Sequence, residues 1–152
     1  MHTLSPGMLF RGGQPWVAHG SMGGEIQPQI FAQVVSALVD GGVDVAMAVA
    51  APRWAADVPE HHGPPSLTVV ETRYHAAVVE GLRARGHDVV QRGDFDHGIG
   101  HAQAIEIVRD PAETAKESSR PTDAGPPDGT SGAPIAFAAA TDPRSDGAPA
   151  VW

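Results

Sequence analysis

The chain has 152 residues, the size of one ordinary domain, and carries a formal charge of −8 at pH 7. That charge disfavours nucleic acid and anionic membrane surfaces as partners. The absence of cysteine excludes disulfides, thiolate metal sites and a cysteine nucleophile. No apolar run reaches the length of a membrane span, and Met1 to Pro6 do not read as a signal peptide, so a cytoplasmic location is expected. The hydrophobic share of 41% is mostly Ala and Val, with aromatics at only 5%, which leaves few large core anchors. With 18 glycines and 14 prolines, many turns and at least one unstructured segment are expected.

Met8 to Phe10 and Trp16 to Ala18 read as two short strands of a hairpin that turns at Gly12-Gly13. The first strand begins abruptly, with only a few residues before it, which suggests a fragment. Gly20-Ser21-Met22-Gly23-Gly24 then forms a glycine-rich bend that leads directly into a helix from Glu25 to Val39. Ile26, Ile30, Phe31, Val34, Val35, Leu38 and Val39 recur at helical spacing and make one apolar stripe. Pro28 is tolerated in the first turn, where its missing N–H costs nothing, and Gly41-Gly42 ends the helix. Asp44 caps a shorter helix from Val45 to Ala51, stopped by Pro52. A loop follows through Pro59 and Pro65.

Leu67 to Glu71 is a short strand, and His75 to Arg85 a third helix with Val78, Val79 and Leu82 on its apolar side and Gly86 at its end. His87 to Gln91 is a strand, Gly93 to Gly100 a loop, and Ala102 to Val108 a strand with Ala102 and Ala104 on one face. From residue 111 to 134 Pro, Gly, Ser, Thr and acidic residues dominate without periodicity, and a disordered insertion is expected. Ile135 to Thr141 is the last strand, followed by Asp142-Pro143-Arg144.

The bend is the main candidate for chemistry. The first N–H groups of a helix lack intrahelical partners and lie at the positive end of its dipole. Gly23 and Gly24, without side chains, let a substrate atom come close to that backbone. Such a place suits a phosphate, a carboxylate or the oxyanion of acyl transfer. The plain alternative is a tight turn, with Ser21 as a turn residue. No Walker loop or Gly-x-Gly-x-x-Gly spacing is present. Asp94, Asp96, His97 and His101, with His61 and His62 as a second group, raise a metal reading, but their loop placement does not follow zinc spacing, and no metal or cofactor is expected. Ser5, Ser21, Ser66 and Thr68 lack the nucleophile-elbow pattern.

Thr3-Leu4-Ser5-Pro6, Gly20-Ser21-Met22-Gly23-Gly24, Ala51-Pro52-Arg53, Gln103-Ala104-Ile105 and Asp142-Pro143-Arg144 occur in an order that resembles the gamma-glutamyltranspeptidase family, in the C-terminal part of its small subunit. The resemblance implies an α+β fold, part of the αββα four-layer sandwich of N-terminal-nucleophile hydrolases, with two stacked antiparallel sheets. It implies self-cleavage that exposes a threonine, whose hydroxyl is the nucleophile and whose amine is the base. It implies transfer of a gamma-glutamyl group from glutathione or a related amide to water or an amino acid. Carried onto this chain, the family's oxyanion hole falls on Gly23 and Gly24, and its substrate-carboxylate serine pair falls on His2 and Thr3. Only a hydroxyl at Thr3 is then kept, which leaves room for the amidase and acylase branches.

The resulting expectation is a single partial domain over 1–152, carrying the oxyanion-hole half of the site, with Thr3, His2 and Ser21 near substrate. The nucleophile and a large-subunit-like N-terminal portion would lie upstream, and the chain alone would be inactive. The substrate would be a small gamma-glutamyl or related amide. The competing readings are a non-enzymatic module binding small carboxylates at the same helix end and, third, a histidine-bearing metal-binding domain.

Overall fold

The computed structural model describes residues 4–56, 67–109 and 136–145. His2, Thr3, His61, His62, Ser66 and the expected insertion at 111–134 lie outside the described residues. Strands β1 (Ser5–Arg11) and β2 (Gln14–Met22) form the expected hairpin, both longer than their apolar centres suggest, in a register running from Ser5↔Ser21 to Arg11↔Gln14. A strand extends as far as its backbone can pair, whatever the side chains beyond the core contribute. β2 continues the sheet by pairing with the later strand His101–Val108, which in turn pairs with Ala136–Thr141. All neighbours in this four-stranded sheet are antiparallel.

Two helices cover one face of it. The 3-10 turn Gly24–Ile26 leads into α1 (Gln27–Val39), and α2 (Val45–Ala50) follows. The helix therefore starts two residues after Glu25, because Gly24 and its neighbours first make a tighter turn with Pro28 near the α-helical start. Ile26, Ile30, Val34 and Leu38 are buried with Val17, Ala102, Ala104 and Ala140 from the strands. The alanines let α1 and α2 lie close to the sheet, and each buried Ile or Leu contributes roughly 1.5–3 kcal/mol of transfer free energy. Val39, at the end of the expected stripe, is 57% exposed. α2 ends at Ala50, one residue short of the expected Ala51, with its N-cap Asp44 accepting from the Met47 N–H at 2.7 Å.

The second sheet departs from the two stacked antiparallel sheets that the family resemblance implies. It has three strands, β3 (Trp54–Ala56), β4 (Leu67–Glu71) and β5 (Asp88–Arg92), in the order β3-β4-β5. β4 and β5 are parallel because α3 (Ala76–Ala84) crosses between them, while β3 pairs with β4 antiparallel. The two later strands of the first sheet are β6 (His101–Val108) and β7 (Ala136–Thr141). His75 caps α3 rather than belonging to it, and β5 sits one residue later than expected. Val79 is buried and Leu82 packs beside it, but Val78 is 46% exposed, since a nine-residue helix on a three-stranded sheet seats only a narrow stripe.

β3 was not legible as a strand because its outer edge is completed by side chains. Gln33 accepts from the Trp54 N–H at 3.0 Å and donates to the Trp54 carbonyl at 2.9 Å. Gln29, one turn earlier on α1, does the same for Ala56, at 2.8 Å in each direction. Two carboxamides at i and i+4 thus take the place of a neighbouring strand. No helix among the described residues is long and apolar enough to cross a membrane.

Candidate functional site

The end of β2 delivers the chain to the bend. Gly23 has an extended φ of 162°, and Gly24 lies in the left-handed region at φ 56°. The Ile26 N–H donates to the Gly23 carbonyl at 3.2 Å, which closes the 3-10 turn. Among the described residues the amides of Gly23 and Gly24 have no acceptor. The two glycines are needed for different reasons. A Cβ on Gly23 would stand 2.9 Å from Ile30 Cδ1 and 3.4 Å from the Gly100 Cα, so its place is set by close packing. A Cβ on Gly24 would meet nothing within 4 Å among the described residues, so there the backbone angle alone demands glycine, beside open space.

Gly100 is pressed against the same bend from the loop before β6. At φ 71°, it would carry a Cβ 2.6 Å from the Met22 carbonyl oxygen and 3.3 Å from the Gly23 Cα. Its own carbonyl accepts from Arg53 Nη1 at 2.9 Å. Arg53 follows α2, and the same Nη1 meets Asp142 Oδ2 at 2.7 Å while Nη2 donates to the Val49 carbonyl at 3.1 Å. Asp142 Oδ2 also accepts from the Ala102 N–H at 2.7 Å, and Oδ1 accepts from the backbone and side chain of Arg144, each at 2.9 Å.

Arg144 then forks onto Glu71, with Nε to Oε1 at 2.6 Å and Nη2 to Oε2 at 2.7 Å. Arg73 completes the cluster, 2.5 Å from Glu71 Oε2, with its guanidinium over the Phe95 ring at 3.7 Å. The last carbonyls of α2, at Val49 and Ala50, and that of Ala51 after it, accept from these arginines. Three guanidinium groups facing two carboxylates leave one excess positive charge, which sits at the negative end of α2.

The charges set the titration of the cluster. Burial works to raise the Asp142 pKa, but the Arg53 charge, the Arg144 N–H and the Arg144 charge outweigh it and hold the carboxyl below its ordinary value. Burial also lowers Arg53, whereas for Arg144 the bonds to Glu71 and Asp142 overcome burial and raise it. Both remain cations.

Of the residues singled out from the sequence, Gly23 and Gly24 stand together at the bend, as described. Ser21 is only 5% exposed, and its Oγ is buried with no hydrogen-bond partner among the described residues. Ser5 Oγ donates to the Gln27 carboxamide. Thr68 is buried in β4. Asp94 accepts from the Thr72 hydroxyl, and Asp96 caps the turn His97–Ile99 by accepting from the Gly98 N–H at 2.7 Å. No group of three His or carboxylate side chains that could hold a metal occurs among the described residues. The cluster of Arg53, Glu71, Arg73, Asp142 and Arg144 is what sequence reasoning missed as a unit. Its only local signals are arginines after proline in two alanine- and aspartate-led turns, and an acid closing a strand of valines.

Comparison with known proteins finds relatives of the chain by sequence and by fold. The model of the gamma-glutamyltranspeptidase family matches residues 1–152. The glutathione hydrolase-like YwrD proenzyme of Bacillus subtilis is 34% identical over 109 residues, which cover 70% of this chain and 20% of that protein. The oxamate amidohydrolase proenzyme of Klebsiella pneumoniae is 34% identical over 149 residues, 98% of this chain and 24% of that protein. The chain thus spans a fifth to a quarter of the length of these curated relatives. Among solved structures, a cephalosporin acylase from Bacillus halodurans superposes with a TM-score of 0.69 at 29% identity, over 97% of this chain and 22% of that one. A mutant gamma-glutamyltranspeptidase of Helicobacter pylori shares the fold, with a TM-score of 0.68 at 20% identity over 95% of this chain and 62% of that one. These neighbours and the mixed helices and sheets agree with an α+β fold, part of an N-terminal-nucleophile hydrolase sandwich.

Proposed function

This chain belongs to the gamma-glutamyltranspeptidase family, and we propose that it contributes the oxyanion-binding part of a site that transfers or hydrolyses a gamma-glutamyl or related acyl amide. The observation that carries the reading is the Gly23–Gly24 bend, whose two N–H groups have no acceptor among the described residues and border open space at Gly24. When a hydroxyl adds to an amide carbonyl seated there, the carbonyl oxygen becomes an anion that these donors stabilise more than they did the neutral carbonyl. Collapse of that intermediate breaks the C–N bond, and the amine leaves with a proton. The acyl ester left behind passes to water or to an acceptor amine.

In this reading the threonine nucleophile, with its own amine as base, belongs to a portion of polypeptide outside these 152 residues. Two observations support it. The relatives are four to five times longer than the part this chain matches, and both are described as proenzymes. Ser5 and Ser21 are also poor nucleophile candidates, one hydroxyl being engaged by Gln27 and the other buried with no hydrogen-bond partner among the described residues. His2 and Thr3 are assigned to the substrate carboxylate by the family pattern alone. The relatives' printed activities, a glutathione hydrolase-like one and an oxamate amidohydrolase one, are both amide hydrolyses, which supports an amide as the substrate class.

The face of the first sheet opposite the helices supports a covering portion. Met8, Met22, Ile105 and Phe137 are 44%, 45%, 46% and 61% exposed. Pro6, Met8, Ala18, Gly20, Gln103 and Ile105 border a groove of about 610 Å³ on it. So much apolar surface on one face is rarely left open to water. The test is turnover of a gamma-glutamyl anilide by the chain alone and by the chain joined to the upstream three-quarters of one of its relatives. The reading expects none from the first and measurable turnover from the second. Turnover by the chain alone would overturn it.

A further inference from the structure

Arg53 and Asp142 do more in this structure than neutralise one another. Between them they hold the backbone on both sides of His101. Arg53 Nη1 holds the Gly100 carbonyl at 2.9 Å, and Asp142 Oδ2 holds the Ala102 N–H at 2.7 Å. Gly100 is the residue packed onto Met22 and Gly23, so closely that it has no room for a Cβ. The Gly100 N–H is itself tied to the His97 carbonyl at 3.1 Å. A buried guanidinium fork held by a carboxylate therefore fixes one peptide, and that peptide forms the wall against which the bend rests. Arg53 is 2% exposed and Asp142 0%, so neither is free to re-solvate if its partner shifts.

We propose that Arg53, held by Asp142, is a positioning residue for the Gly23–Gly24 amides, acting through the Gly100 carbonyl. The functional part of this proposal rests on the oxyanion reading given above. Donors aimed at a developing oxyanion work only when they need not reorganise as the charge appears. A glycine bend cannot hold that aim by itself, since glycine is the residue least restricted in φ and ψ. The wall supplied by Gly100 restricts it from outside. An arginine suits the task because its planar fork can serve Asp142, Gly100 and Val49 at once, which a lysine ammonium on a flexible stem does in poorer geometry.

The test uses the 152-residue chain and reads the amide proton and nitrogen resonances of Gly23 and Gly24. Arg53→Lys keeps the charge opposite Asp142 and loses the fork, and Asp142→Asn keeps an acceptor for the Ala102 N–H. Each should move both glycine amides, together with that of Gly100. Arg73→Lys is the control: it perturbs the same buried cluster, bonding Ala50, Ala51 and Glu71 but not Gly100. It should leave the two glycine amides in place even where its loss of thermal stability is comparable. Glycine amides that move no further in Arg53→Lys or Asp142→Asn than in Arg73→Lys would overturn the proposal. In the chain joined to a relative's upstream portion, Arg53→Lys should lower kcat about tenfold with KM little changed, the signature of lost transition-state binding. Moved amides with unchanged kcat would uphold the positioning role and sink the oxyanion reading instead.

Discussion

Arg53 and Asp142 are 89 residues apart in the chain and meet at 2.7 Å with both side chains buried. The pair joins the two short motifs, Ala51-Pro52-Arg53 and Asp142-Pro143-Arg144, that look unrelated when read along the chain. Each proline ends a helix or strand and turns its following arginine inward, so the motifs act as one structural unit. A buried pair of this kind contributes more to the choice of one conformation than to net stability, because desolvation offsets much of the Coulomb attraction.

Breaking the pair from one side leaves a charge buried without its partner. Arg53→Met is expected to cost about 3–5 kcal/mol of unfolding free energy. Adding Asp142→Leu to it should cost less than the sum of the two single changes. Urea unfolding of the three variants measures this. Strict additivity would show that the two side chains do not act as a pair.

Acid should weaken the fold through the same residue. The folded-state pKa of Asp142 lies below its unfolded value, against the effect of burial, because Arg53 and Arg144 favour the carboxylate. The stability it contributes is therefore complete above the unfolded carboxyl pKa of about 3.9 and is lost as pH falls from there through the folded value. Thermal unfolding between neutral pH and pH 3 should show this loss, and Asp142→Asn should flatten it while lowering stability at pH 7.

His19 has the opposite chemistry but the same sign of pH dependence. Burial lowers its pKa, and its ring stands edge-on to Phe31 at 4.5 Å between centroids. Because the unfolded chain then binds the proton more readily, stability is lost as pH falls below about 6.5 and down through the lowered folded value. His19→Gln should remove the part of the pH dependence that lies between neutral pH and the carboxyl range.

The carboxamides at the edge of β3 provide a fourth test. Gln33→Leu leaves the Trp54 N–H and carbonyl without their partners, and Gln29→Leu does so at Ala56. Each is expected to cost about 1–3 kcal/mol. Gln33→Glu should cost nearly as much as Leu, since a carboxylate can accept from the Trp54 N–H but cannot donate to its carbonyl. Equal stability of wild type and Gln33→Leu would show that the edge is not held in this way.

Much of the fold was legible because local pattern and packing agree. The stripe from Ile26 to Leu38, the valines of Leu67–Glu71 and the alternation Ala102, Ala104 each face the core that they predict. β3 was hidden because three residues carry no period, and its edge depends on glutamines more than twenty positions earlier. The buried ion cluster was hidden for a related reason. Charges at 53, 71, 73, 142 and 144 come together only when the ends of β4 in the second sheet, β7 in the first and α2 are assembled, and no spacing along the chain encodes that meeting. At the bend, the sequence showed two glycines before a helix. It did not show that Gly23 is fixed by packing and Gly24 by its angle, nor that Gly100 stands behind them.

The central claim is that the Gly23 and Gly24 amides of this chain stabilise an oxyanion, and the most direct measurement removes one N–H without changing the backbone angle. Proline is unsuited to this, since φ 56° at Gly24 and 162° at Gly23 both lie far from the angle its ring allows. Glycolic acid in place of Gly24 turns the amide into an ester, which deletes the N–H donor and only weakens the Gly23 carbonyl as acceptor for the Ile26 N–H. In the chain joined to a relative's upstream portion, the account predicts that kcat for a gamma-glutamyl anilide falls by about 10²–10³ with the fold intact. An ester variant that is well folded and turns over at the unmodified rate would contradict it.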